Sequence, residues 1–114
     1  MSRIYKLLAR RTWDEALAVG RFEGAGVDLV DGFIHFSTAA QAGETASRYF
    51  RDQSGLVVLE VEADGLGGAL RWEPSRGGDL FPHLYAALPC EAVIAVHPAP
   101  LDETGIPRLG DLAP

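Results

Sequence analysis

Alternating apolar and polar positions predict the strands of this chain. In RIYKLLA, residues 3–9, Ile4 and Lys6 fall on one side of the predicted strand. LVVLEVE, residues 56–62, is rich in branched residues and follows a glycine, so it also predicts a strand. Shorter extended segments follow: ALRWE at 69–73, FPHLY at 81–85 and EAVIAV at 91–96.

Two helices are predicted from capping boxes followed by apolar residues at helical spacing. Thr12 and Glu15 have the spacing of a capping box, and the helix that they begin ends near Gly20. The second helix is capped by Ser37 or Thr38, with Gln41 three residues after Thr38, and ends at the polar segment DQSG.

The remaining segments, 21–31 and 74–80, are predicted to be loops, and the proline-rich tail from about residue 97 is predicted to be irregular. Helices and turns both separate the strands, without the regular alternation of a doubly wound fold. The order of elements therefore predicts an α+β domain, residues 1–114, with a mixed, mainly antiparallel sheet and two helices.

Composition narrows the class of protein. The chain has 114 residues, of which 47% are hydrophobic, and this suits one domain with a real core. A formal charge of −6 argues against broad nucleic-acid binding, which needs a basic surface. The chain has no apolar run of the roughly 20 residues that cross a bilayer, which predicts a cytoplasmic protein with no membrane association. Its single cysteine, Cys90, excludes an intramolecular disulfide and is interpreted as a small buried hydrophobe.

The segment DGFIHFST places a histidine inside an apolar run. With a period of two, Ile34 and Phe36 fall on one side, while Phe33, His35 and Ser37 fall on the other. Because an unpaired polar group is costly to bury, the second side is predicted to face a cleft that holds other polar groups.

Two further segments repeat this division between a polar and an apolar face. LRWEPS presents Arg71 and Glu73 on one face, and FPHLY presents His83 and Tyr85. If the three segments adjoin, they form a concavity with two imidazoles, a guanidinium, a carboxylate, a hydroxyl and a phenol. Few polar groups converging beside aromatic rings are typical of a small-molecule site.

Each of these residues also has a purely structural interpretation. His35 and His83 are then satisfied structural residues, and Ser37 is a helix cap. Arg71 and Glu73 are then a surface ion pair. The loop SRGGD brings Arg76 to an anionic ligand or is an ordinary turn. A metal site built from both histidines with Glu73 or Asp79 has no support from their spacing, so no metal is predicted.

Three stretches carry a resemblance to a known family: DGFIHFSTAAQ, LVVLEVEADGL and LRWEPSRGGDLFPHLYAALP. From about Ile4 to Val96 the chain resembles domain of unknown function family 952, a family of small bacterial proteins. The signatures G-F-I-H-x-S and F-P-H-L-Y are the most specific part of this resemblance.

That family is similar in fold to the ADP-ribosyltransferase group, which holds NAD in a cleft between the two halves of a split sheet. FIHFST is similar to a strand and helix start of the RNA 2′-phosphotransferase branch. The resemblance implies that His35 and Ser37 lie at the nicotinamide or ribose side, and that Glu73 stabilises an oxocarbenium-like transition state. The first strand lacks the His-Gly-Thr signature with which many such enzymes hold NAD, and Lys6, Arg10 and Arg11 are the candidates there.

Two functions follow from the residues and the resemblance. In the first, the chain is an enzyme, or a degenerate enzyme, that binds NAD, ADP-ribose or another phosphorylated small molecule. His35 and Glu73 are then the catalytic candidates, and Ser37, Arg71, His83 and Tyr85 bind the ligand. In the second, the chain is a non-catalytic binding or protein-interaction module in which these residues only line a groove.

Overall fold

The computed structural model describes residues 2–114, with the side chain of Arg76 excepted. The predicted contact between Arg76 and an anion therefore lies outside the described residues. The strands are β1 (Arg3–Ala9), β2 (Arg21–Phe22), β3 (Ile34–His35), β4 (Leu56–Glu62), β5 (Leu70–Ser75), β6 (Asp79–Leu84), β7 (Leu88–Pro89) and β8 (Val93–Pro98). The helices are α1 (Arg10–Val19), α2 (Val27–Asp31) and α3 (Ala39–Tyr49), and short 3-10 turns cover Ala63–Ala69, Arg76–Gly78 and Cys90–Ala92.

The strands form three antiparallel sheets, in the orders β1-β4-β8, β2-β7 and β3-β6-β5. An isolated bridge between Tyr5 and Ser37 connects the first sheet to the segment after β3. This arrangement confirms the predicted α+β class and its antiparallel pairing. No strand pair among residues 2–114 is parallel, so the sheets are not mixed in the predicted sense.

The first sheet is covered on both faces. On one face Ile4, Leu8 and Leu59 pack with Ile34 and with helix α1, and these residues form the larger core. On the other face a smaller core contains Tyr5, Leu56, Val58 and Ala99, with Leu109 and Leu112 of the tail packed against it. The tail after β8 thus covers this face of the sheet.

Helix α1 begins earlier than its capping box predicts. It starts at Arg10, directly after β1, and its N-cap residue Ala9 makes no side-chain capping bond. The N–H of Arg10 donates to the carbonyl of Gly55 at 2.8 Å instead, so the neighbouring strand satisfies this helix end. The prediction of a cap at Thr12 is wrong, whereas the predicted end at Gly20 is confirmed by its left-handed φ of 97°.

The capping box of α3 is present as predicted. The Thr38 hydroxyl accepts from the N–H of Gln41 at 3.3 Å, and the Gln41 side chain accepts from the N–H of Thr38 at 3.0 Å. Thr38→Ala should lower the free energy of unfolding by about 1 kcal/mol in a urea titration, because the capping bond is lost. Thr12→Ala is the matched control and should cost less, since Thr12 lies inside α1 and caps nothing. Equal losses in the two variants would contradict the assignment.

Three further predicted boundaries are wrong. The loop predicted at 74–80 is limited to Arg76–Gly78, because β5 runs to Ser75 and β6 begins at Asp79. Residues 21–31 are not one loop, because they contain β2 and the short helix α2. The last strand starts at Val93, since Cys90–Ala92 form a 3-10 turn after β7. Among residues 2–114 no helix has the length and apolar character needed to cross a bilayer.

Candidate functional site

One face of the third sheet carries a polar row across all three strands. His35 of β3 pairs with His83 of β6, which pairs in turn with Arg71 of β5. Directly paired residues of an antiparallel sheet project to the same face, so these three side chains are neighbours. The opposite face carries Ile34 and Leu84, which are both buried in the larger core.

Phe33 lies at the centre of a cluster formed by the polar row together with Tyr85 and Glu73. Its ring centroid lies 4.5 Å from that of His35, 4.2 Å from that of His83 and 5.1 Å from that of Tyr85. The two imidazole centroids are 5.3 Å apart. The aromatic ring thus separates and orients the polar groups in the way that the walls of a binding site do.

Glu73 joins two of the other site residues. Its Oε1 accepts from the Tyr85 hydroxyl at 2.7 Å and lies 2.8 Å from Nδ1 of His83. Both hydrogen bonds lower the pKa of the Glu73 carboxyl. The bond between Tyr85 and Glu73 also raises the pKa of the Tyr85 phenol. The ionised carboxylate therefore fixes the orientation of both rings.

Arg71 is held by stacking alone. Its guanidinium carbon lies 4.7 Å from the centroid of the Tyr85 ring, a cation–π arrangement. Among the described residues, none forms a hydrogen bond or an ion pair with this exposed guanidinium. Its N–H donors are consequently free to meet an anion.

Asp28 of α2 lies beneath His35 and is only 2% exposed. Its carboxylate contacts Nδ1 of His35 at 2.6 Å and Nζ of Lys6 at 2.9 Å. It also accepts from the backbone N–H groups of His35 and Ala25, at 3.0 and 3.1 Å. Every donor around this buried charge is therefore engaged, which is the condition under which a buried carboxylate is tolerated.

The charges of this network shift its protonation equilibria. Burial raises the pKa of the Asp28 carboxyl, but the hydrogen bonds from His35 and the charge of Lys6 outweigh it and lower that pKa from 3.8 to about 2. Burial lowers the pKa of the Lys6 ammonium against the attraction of Asp28. Asp28 is thus ionised at neutral pH.

His35 faces a carboxylate at each ring nitrogen. Nδ1 contacts Asp28, and Nε2 lies 2.9 Å from Asp31, which is the last residue of α2 and is exposed. Ionised carboxylates only accept hydrogen bonds, so His35 satisfies both of them at once only as the imidazolium. In that form it ties the end of α2 to the sheet.

A cavity of about 260 Å³ opens beside Phe33 and Tyr85. Its remaining walls come from the loop before α2, from α2 itself and from the ends of β3 and β6: Glu23, Asp28, Leu29, Gly32, Ile34, Leu84 and Ala86. Gly24 is needed here, because a Cβ at this position, where φ is +108°, lies 2.9 Å from Cβ of Asp28. The cavity is large enough for one ring or one sugar and is smaller than most sites for complete drug-sized ligands.

Comparison with known proteins places this chain in a family. The model of the family described as protein of unknown function (DUF952) matches residues 7–96. The chain belongs to the DUF952 family. A search of curated proteins finds no match for it.

Solved structures share the fold of this DUF952 chain. The crystal structure of protein CC0527 from Caulobacter crescentus is 55% identical, covers 96% of each chain and superposes with a TM-score of 0.94. A double methionine variant of that protein gives 53% identity over 96% of each chain and a TM-score of 0.94. The solution structure of CC0527 is 55% identical, with 99% of this chain and 98% of that chain covered and a TM-score of 0.88.

Five of the six residues singled out in the DUF952 sequence meet in this cluster, and Ser37 does not. Its hydroxyl lies 2.9 Å from that of Thr45 on α3, beside Tyr5 and Leu7. Lys6 projects from the opposite face of β1 and contacts Asp28, the partner of His35. Strand β1 therefore separates Ser37 from the polar row. Ser37 also does not cap α3, because Thr38 does.

Sequence reasoning missed Asp28 and Asp31 as partners of His35, and Lys6 as the cation beside Asp28. One signal was available, because Lys6 shares its side of β1 with the apolar Ile4 and so required a buried anion. Among residues 2–114, no group of three or more His, Cys, Asp or Glu side chains is arranged to hold a metal ion.

Proposed function

We propose that the cleft beside Phe33 binds a phosphorylated small molecule of the nucleotide type, such as NAD or ADP-ribose, in the cytoplasm. The observation that carries the proposal is the guanidinium of Arg71, which is preoriented over Tyr85 and makes no ion pair with a described residue. A guanidinium with free donors is well suited to the paired oxygens of a phosphate. The ligand's phosphate then lies at Arg71, and His35 orients the adjoining group.

The cavity supports an apolar or sugar group next to that phosphate. It offers about 260 Å³ beside two aromatic rings, enough for a ribose or a nicotinamide but not for a complete dinucleotide. NAD fits this site only with one end enclosed and the remainder along the exposed side of β5. The resemblance to ADP-ribosyltransferases makes NAD and ADP-ribose the first probes to use.

Arg71→Gln tests the proposal in a titration with NAD, ADP-ribose, AMP and ribose 5-phosphate, followed by thermal shift and calorimetry. At least one probe should raise the melting temperature of the wild type. Arg71→Gln should weaken its Kd by about 10-fold or more, because a charge-assisted hydrogen bond is lost.

Arg48→Gln is the matched control, since it removes the same charge from an exposed pair on α3. Its Kd should equal that of the wild type. Failure of all four probes to bind, or equal Kd values for the two variants, would contradict the proposal.

One observation favours a second candidate, a protein-interaction module. Helix α2 exposes Val27, Leu29 and Val30, three large apolar side chains in a helix of five residues. Exposed apolar residues grouped in this way are a feature of interaction surfaces. Under this candidate no probe shifts the melting temperature, while His35→Ala and Glu73→Ala change stability alone.

A further inference from the structure

His83 is the buried imidazole of the polar row. It is 5% exposed, and its Nδ1 lies 2.8 Å from Oε1 of Glu73. Because the carboxylate accepts, Nδ1 carries the hydrogen and Nε2 carries the lone pair. A histidine oriented by a carboxylate in this way is the usual form of a general base.

The other ring nitrogen of His83, Nε2, reaches solvent. Every fully buried side-chain nitrogen and oxygen atom among the described residues has a hydrogen-bond partner. No described residue bonds to Nε2 of His83, so this atom reaches solvent although the rest of the residue is buried. The small exposed part of His83 is therefore the part that is able to take a proton.

The groups beside Nε2 have complementary roles. His83 pairs with Arg71 on one neighbouring strand and with His35 on the other. The ring centroids of His83 and His35 are 5.3 Å apart. A carboxylate lies at each ring nitrogen of His35, and the imidazolium is the form that donates to both. A base thus lies between a guanidinium and a proton donor.

We infer that His83 is the general base of a hydrolytic activity on nucleotide-type phosphodiesters, an inference that rests on the proposed binding of a phosphorylated ligand. Nε2 of His83 takes a proton from water as the water oxygen bonds to phosphorus and the bond from phosphorus to the leaving oxygen breaks. The leaving oxygen takes the proton from Nε2 of His35. For this transfer the N–H of Nε2 turns from Asp31 to the leaving oxygen. Diester and water thus become monoester and alcohol, and solvent returns the proton from His83 to His35.

The free donors of the site favour a diester over a monoester. Lys6 and His35 contact the carboxylates Asp28 and Asp31, and Arg71 lies close enough to Glu73 to lower the pKa of that carboxyl. The site therefore has no excess positive charge, and the N–H donors of one guanidinium suit the single negative charge of a diester. Glu73 acts through His83 and is a positioning residue.

The test is hydrolysis of thymidine 5′-(p-nitrophenyl phosphate), followed by release of p-nitrophenolate in EDTA. The wild type should turn over with EDTA present. His83→Asn keeps an N–H donor near the place of Nδ1 and removes the base. It should lower kcat by about 10²- to 10⁴-fold. Glu73→Gln should lower kcat with little change in KM.

His97→Asn is the matched control, because His97 bonds to Glu60 on another sheet. It should keep the wild-type rate, and thermal melting shows whether each variant is folded. A wild type that binds the nucleotide probes and releases no p-nitrophenolate overturns this inference and leaves the proposed function standing. A wild type that binds none of them overturns both. Activity that EDTA removes, or that His83→Asn retains, also overturns the inference.

Discussion

Asp28→Ala is expected to lower the free energy of unfolding by about 3–5 kcal/mol, as removal of one partner from a buried ion pair does. The substitution leaves the ammonium of Lys6, whose side chain is only 11% exposed, without its counter-ion. It also removes the acceptor for the backbone N–H groups of Ala25 and His35. Chemical denaturation at neutral pH measures the loss.

Asp31→Ala is the control for that result, because it makes the same chemical change on the same helix. The Asp31 side chain is 41% exposed and bonds only to Nε2 of His35 among the described residues, so its loss should cost at most about 1 kcal/mol. Lys6→Met should cost less than Asp28→Ala, since Asp28 then keeps its three other donors. Equal losses for Asp28→Ala and Asp31→Ala would show that the Asp28 network does not stabilise the fold.

Strands β1 and β4 were predictable with their observed bounds, because each carries an uninterrupted pattern of its own. The start of α1 was not predictable, because the N–H of Arg10 donates to the carbonyl of Gly55, which is far along the chain. Local spacing at Thr12 indicated a cap that the tertiary structure makes unnecessary. Helix α2 has only five residues, which is too short for a helical spacing of apolar residues to be recognised. The sequence therefore predicts a loop there.

The site was predictable to the extent that it depends on alternation. A period of two placed His35, Arg71, Glu73, His83 and Tyr85 on polar faces, and antiparallel pairing then brought those faces together. Ser37 departs from the pattern because the chain leaves β3 after His35, and its backbone bonds to Tyr5 of the first sheet. Asp28 reaches His35 through the turn at Gly32, which no strand pattern describes.

Acid should unfold this protein through Asp28. The pKa of the Asp28 carboxyl is about 2 in the folded state and 3.8 in the unfolded chain. This difference corresponds to about 2 kcal/mol of stability. Because the folded pKa is the lower one, that contribution is complete above about pH 5 and is lost as the pH falls through 3.8 toward 2.

Asp28→Asn isolates this component, because asparagine has nearly the same shape and does not titrate. At pH 7 the variant should be less stable than the wild type, and the gap should narrow by about 2 kcal/mol between pH 5 and pH 2. Denaturant unfolding across that range, in constant salt, measures the gap. A gap that stays constant would mean that the pKa of Asp28 is the same in the folded and unfolded states. The donors around Asp28 would then add no net stability to its ionised form, contrary to the network described above.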